Sequence, residues 1–126
     1  MPNKPMKYKL KRDRYAKARG GSSRFLDIGC SACGGHIVLY QKDGPGDLLR
    51  MYLDRIFAPY ELASLQHARG VKKDLPVLRC KQCQAIIGMP MVYKPEKRLA
   101  FRMVPGSFTK RISDGTYPPS RNAVDN

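Results

Sequence analysis

The chain has 126 residues, with 24 Lys/Arg against 10 Asp/Glu, which gives a formal charge of +14 at pH 7. That length allows one domain with tails, and no stretch approaches the roughly 18 to 20 continuous apolar residues of a membrane span, so a soluble protein is expected. The first 21 residues carry charge and no apolar run, which argues against a secretory signal and for a cytoplasmic location, with a nucleoid or organelle matrix as the other settings.

The positive charge is unevenly spread. Residues 1–24 hold nine Lys/Arg against one Asp, residues 25–93 eight against six acids, and residues 94–126 seven against three. The first segment has no core-forming apolar face and ends in Gly20-Gly21-Ser22-Ser23, a hinge composition. It reads as a basic arm, disordered when free, in which Lys7 to Arg19 becomes helical on a phosphate surface. A mitochondrial targeting role also suits a segment so poor in acids, although its scarcity of serine and lack of an apolar face argue against one.

Phe25 to Ile28 reads as a short strand and His36 to Gln41, apolar and β-branched, as its return. Between them lies Cys30-Ser31-Ala32-Cys33, followed by Gly34-Gly35, where glycine lets the backbone turn so that amide N–H groups point at sulfur. After a turn at residues 42–46, Asp47 is a candidate N-cap for a helix to Phe57, with Leu48, Leu49, Tyr52, Leu53 and Ile56 on its apolar side and Arg50, Asp54 and Arg55 opposite. That stripe reads as core rather than as a partner groove. Pro59 breaks the helix and opens another, Tyr60 to Arg69, stopped by Gly70.

Leu75 to Arg79 leads into Cys80-Lys81-Gln82-Cys83, and residues 85–89 lead out. Gln84 occupies the place of Gly34, so only the first turn carries the glycine mark. Leu99 to Val104 returns as a strand after a turn at residues 94–97, and residues 106–126 read as a loose, polar tail.

The two C-x-x-C pairs use every cysteine in the chain. Four thiolates, Cys30, Cys33, Cys80 and Cys83, make a closed tetrahedral Zn²⁺ site, and also suit a rubredoxin-type iron centre, with zinc favoured. Disulfides fit a secreted protein, and a redox C-x-x-C needs a βαβ setting rather than two flanking strands. Four sulfurs leave no open coordination position, so the metal is structural, and His36 and His67 are not needed as ligands. Without the arm and tail only roughly 80 to 90 residues remain, a size at which a bound metal supplies much of the stability.

Two strand pairs, each presenting a C-x-x-C knuckle, resemble the zinc-ribbon class. The resemblance implies an α+β chain: a zinc-ribbon-like β domain over 25–105, a helical insert at 47–70, a flexible basic arm at 1–24 and a tail at 106–126. The class serves in ribosomal proteins, transcription factors, RNA-modifying enzymes and docking modules, so it does not by itself set a function.

No carboxylate pair, nucleophile triad or phosphate loop is legible, and a nonenzymatic role is expected. Lys4, Lys7, Lys9, Lys11, Arg12, Arg14, Lys17, Arg19 and Arg24 offer phosphate neutralisation, with Tyr8 and Tyr15 to stack on unpaired bases. Lys72, Lys73, Arg79 and Lys81 surround the second knuckle, and Lys94, Lys97, Arg98, Arg102, Lys110 and Arg111 extend a basic flank. RNA is preferred to DNA because no base-reading helix is evident, and a ribonucleoprotein setting such as the ribosome, with protein partners, follows. The alternatives are a docking adaptor, transcriptional in role, that uses the helical insert, and a zinc-thiolate redox switch.

Overall fold

A computed structural model describes residues 5–67 and 75–119. The chain runs β1 (Met6–Lys7), α1 (Arg14–Ala18), β2 (Ser23–Cys30), β3 (His36–Asp43), β4 (Arg50–Tyr52), β5 (Ile56–Ala58) and α2 (Tyr60–Ala63). It continues through β6 (Leu78–Arg79), β7 (Ile86–Tyr93), β8 (Arg98–Met103), β9 (Phe108–Ser113) and β10 (Thr116–Tyr117). Two antiparallel sheets of four strands, ordered β5-β3-β2-β9 and β4-β8-β7-β6, are accompanied by a separate β1-β10 pair. Among the described residues, no helix is long and apolar enough to cross a membrane.

Leu26, Ile28, Val38 and Tyr40 from the first sheet meet Met51, Ile87, Phe101 and Met103 from the second in one buried cluster. The other face of the first sheet is covered too, where Phe25, Leu39 and Ala58 pack with Tyr8, Leu10, Phe57 and Tyr117. Burial on both faces explains why β2 and β3 read as continuous apolar runs rather than as alternating ones.

The helix expected from Asp47 to Phe57 is replaced by β4, a 3-10 turn at Leu53–Arg55, and β5. β4 pairs with β8 and β5 with β3, so this stretch carries the chain from one sheet to the other. Ladder hydrogen bonds to two distant strands outweigh a local helical period. Arg55, placed on the solvent side by that period, is fully buried, whereas Leu49 from the apolar stripe is 62% exposed. The second helix is short, Tyr60–Ala63 followed by a 3-10 turn at Ser64–His67; the remainder of its expected span lies outside the described residues. The protein is therefore mostly β-sheet, and the helical insert is corrected.

The arm expected to be loose is tied down over its described length. β1 pairs with β10, and Tyr8 N–H donates to Gly115 O at 2.9 Å. Buried Gln41 brackets the backbone of Lys11: its Oε1 accepts from Lys11 N at 2.7 Å and its Nε2 donates to Lys11 O at 2.9 Å. Asp13 caps α1 by accepting from Tyr15 N and Ala16 N, and it also takes two hydrogen bonds from Arg55 at 2.6 and 3.0 Å. Arg55 Nε donates to Asp43 at 2.8 Å, completing a buried cation between two carboxylates. Arg98 stacks between the rings of Tyr15 and Tyr52, 3.9 and 3.8 Å from their centroids. The tail is corrected likewise, since β9 pairs along β2 from Phe25 to Cys30.

Candidate metal centre

Cys30 ends β2 and Cys80 follows β6, and each begins a turn with the same hydrogen bonds. Cys30 N donates to Gly35 O and Gly34 N to Cys30 O, both at 2.8 Å; Cys80 N donates to Ala85 O and Gln84 N to Cys80 O, again at 2.8 Å. Gly34 has φ +79° and Gln84 +66°, so Gln84 adopts the left-handed conformation that glycine takes in the first turn. The two knuckles are therefore geometric copies despite the difference in sequence.

All four sulfurs lie within 4.8 Å of one another. Cys30 Sγ is 3.6 Å from Cys83 Sγ, and Cys33 Sγ is 3.5 Å from Cys80 Sγ, each contact joining one knuckle to the other. Four sulfurs bonded at about 2.3 Å to a single tetrahedral ion stand about 3.8 Å apart, so the cluster has the dimensions of a metal site. Cys30 and Cys80 are buried and Cys33 and Cys83 exposed, which places the centre at the edge of the core.

The electrostatics of the thiols favour a cation. The Gly35 amide, 3.4 Å from Cys33 Sγ, pulls that thiol down, yet hydrogen bonding with Cys80, then desolvation and hydrogen bonding with Cys83 and Cys30, pushes it up to about 12. Burial pushes Cys80 up, while N–H groups of Cys83 and Gln82 bring it down to about 7. Closely spaced thiols resist gaining negative charge together unless a divalent ion compensates them. Gln82 reaches across to Cys33 Sγ at 3.5 Å, and exposed Lys81 and Arg79 add positive charge beside the cluster.

Comparison of the chain with protein-family models, curated proteins and solved structures finds no match.

His36 is not among the clustered ligands; its Nε2 lies 2.8 Å from Asp27 Oδ1. Of the cations named from sequence, Lys4, Lys72 and Lys73 lie outside the described residues. Lys7, Lys9, Arg12 and Lys17 are exposed, and Arg14 is exposed with its guanidinium on the Tyr15 hydroxyl at 3.0 Å. Lys11 and Arg19 instead serve the fold: Lys11 Nζ donates to Asp54 O at 2.6 Å, and Arg19 holds Glu96 through two bonds of 2.9 Å. Arg98, assigned to the basic flank, is buried with Asp54 and Glu96 as its partners.

Sequence reasoning missed Lys42, which is 7% exposed on β3. It stands directly opposite Arg24 in the β2–β3 ladder. Counting outward from the first knuckle reaches this pair apart from one register shift near Gly29, so the signal was present in the hairpin arithmetic.

Proposed function

We propose that the protein is a nonenzymatic, zinc-stapled β domain that binds RNA through its basic surface. Zinc is the ion best suited to four sulfurs at these separations in a closed site, and iron is the other metal the same ligands accept. Two knuckle turns clamping one ion is the arrangement of a zinc ribbon, here embedded in two larger sheets. With no position left for a water or substrate, the metal fastens the hairpins together and performs no chemistry.

One observation carries the RNA reading: much of the positive charge is not spent on the fold. Lys9, Arg12, Lys17, Arg102 and Lys110 are exposed and in no ion pair among the described residues. An unneutralised basic surface attracts polyanions and steers them over a distance of the order of the Debye length, roughly 8 to 10 Å near physiological salt. The ordered N-terminal segment supports contact by a shaped surface rather than by a loose arm. Folded RNA, with its irregular phosphate spacing, is the polyanion that suits such a surface, and a ribonucleoprotein is its natural setting.

The test is crosslinking of the intact protein to RNA in cells, together with affinity of the purified zinc form for single-stranded and folded RNA across a salt series. If about six phosphates are neutralised, the log–log slope is expected near −4 to −5. Absence of crosslinked RNA together with a slope near zero would refute the reading.

A further inference from the structure

Two pairs of like charges face one another across the sheet ladders. Arg24 is opposite Lys42 between β2 and β3, and Arg50 is opposite Arg102 between β4 and β8. Directly opposed cations destabilise a sheet. None of the four has an ion-pair partner among the described residues.

One member of each pair, Lys42 and Arg50, lines the same cleft. It has a volume of about 390 Å³, and Lys42, Arg50, Arg19 and Tyr52 line it together with the Gly44–Leu49 loop. Lys42 is buried at its edge, and its ammonium donates to the carbonyls of Gly44 at 3.0 Å and Pro45 at 3.2 Å. An ammonium has three N–H donors, so one remains beyond these two neutral acceptors. Arg24 reaches the same Gly44 carbonyl at 3.5 Å, so two cations share one neutral oxygen. Desolvation, and then repulsion from Arg24 and Lys110, holds the Lys42 pKa below the ordinary lysine range. A buried cation with only neutral partners is costly unless something else compensates it.

Asp43 draws the Lys42 pKa back up in part, but the neighbouring carboxylates have their hydrogen bonds elsewhere. Asp43 is taken by Ser23, Gln41 and Arg55, and Glu96 is taken by Arg19 and Arg98. Asp47, exposed on the rim, is the remaining acid lining the cleft. Gly44 fixes the loop against the N-terminal segment: at φ +79°, a Cβ there would lie 2.9 Å from both Cβ and O of Arg19. The cationic wall is thus built by tertiary contacts rather than left by mobile side chains.

We propose that this cleft is a phosphate-binding site and that, on the RNA reading above, it receives a backbone phosphodiester. The neutral oxygens around Lys42 leave its charge available, and Arg50 brings a second cation from the other sheet. The phosphate sits where the two sheets meet, so binding depends on both.

The test uses the full-length zinc-loaded protein. Inorganic phosphate is titrated in at constant ionic strength while amide resonances of Gly44, Gly46 and Arg50 are followed. Affinity for a single-stranded RNA is then measured across a salt series for wild type, Lys42→Met and Arg50→Gln. Saturable shifts with phosphate but not chloride are expected in wild type and not in Lys42→Met. Each variant should weaken RNA binding about tenfold and reduce the magnitude of the salt slope by about 1. Lys42→Met should also melt no lower than wild type, because it removes a buried charge whose hydrogen-bond acceptors are both neutral.

A Lys42→Met protein that melts lower while binding RNA with unchanged affinity and slope overturns the proposal, making Lys42 a staple for the loop and leaving the RNA reading intact. Saturation by phosphate with no RNA affinity in any of the proteins supports the cleft as a site for a free phosphate or phosphate monoester and retires the RNA reading. Should Lys42→Met fail to fold, Arg50→Gln decides: unchanged phosphate and RNA affinity overturns the site.

Discussion

Gln84 holds the second knuckle in a backbone conformation its side chain disfavours, at φ +66°. A non-glycine residue in the left-handed region costs roughly 1 to 2 kcal/mol. Its side chain makes a long bond from Nε2 to Lys81 O at 3.4 Å, and its carbonyl accepts from the Arg79 guanidinium at 3.1 Å. Gln84→Gly is therefore expected to stabilise the zinc-loaded protein by up to about 1 kcal/mol, the greater freedom of glycine in the unfolded chain offsetting part of the relief. A lowered melting temperature would show that the side chain contributes more than the strain removes. In the first knuckle the sign reverses: Gly34→Ala meets no atom within 4 Å, yet should lose about 1 kcal/mol through backbone conformation alone. The cysteines and Gly34 declare themselves locally because their chemistry is local. Gln84 does not, since nothing in its identity reports a positive φ.

At the scale of elements, β1 and α1 are held to the sheets by side chains that come from far along the chain. Asp13 caps α1 and partners buried Arg55, while Arg19 partners Glu96. The Arg55 guanidinium holds the Asp13 carboxyl well below the ordinary carboxylate range, and Arg19 lowers that of Glu96. Burial pushes Asp43 up, but hydrogen bonds from Ser23, Arg55 and Gln41 prevail and keep it low. A carboxyl depressed on folding stabilises the protein above its unfolded pKa of about 4 and loses that contribution as pH falls through the folded value. Amides of α1 should thus lose hydrogen-exchange protection as pH drops below about 4, and unchanged protection at pH 2 would mean that charge does not fasten this segment. Arg55→Ala leaves Asp43 buried and unpaired and should cost about 3 to 5 kcal/mol by denaturant unfolding. A loss under 1 kcal/mol would mean that water replaces the guanidinium.

At the scale of the molecule, the four cysteines tie one hairpin of each sheet to a common point. Zinc binding in small domains is worth on the order of 10 kcal/mol, so its removal is expected to abolish the cooperative thermal transition of the chain. Elemental analysis should find one zinc per chain, and chelation should expose amides of both sheets. A metal-free protein that melts with the zinc-loaded protein would remove the structural role proposed for the ion. Because thiolates must be deprotonated to bind, acid also weakens the metal site.

The cysteine spacing alone picked out the four residues whose sulfurs cluster, and apolar β-branched runs located the strands beside them, because cysteine pairing and strand composition are written within a few residues. The net charge is likewise independent of fold. Only the tertiary structure decided the rest. The stretch from Asp47 to Phe57 carries a helical period but is drawn into strands by β8 and β3, partners far from it in sequence. The basic segment from Lys11 to Arg19 has the composition of a loose arm, yet Gln41, Arg55, Glu96 and Arg98 order it through contacts that composition does not encode. The opposed cations, one of each pair lining the cleft, likewise became visible only when the ladder registers were set.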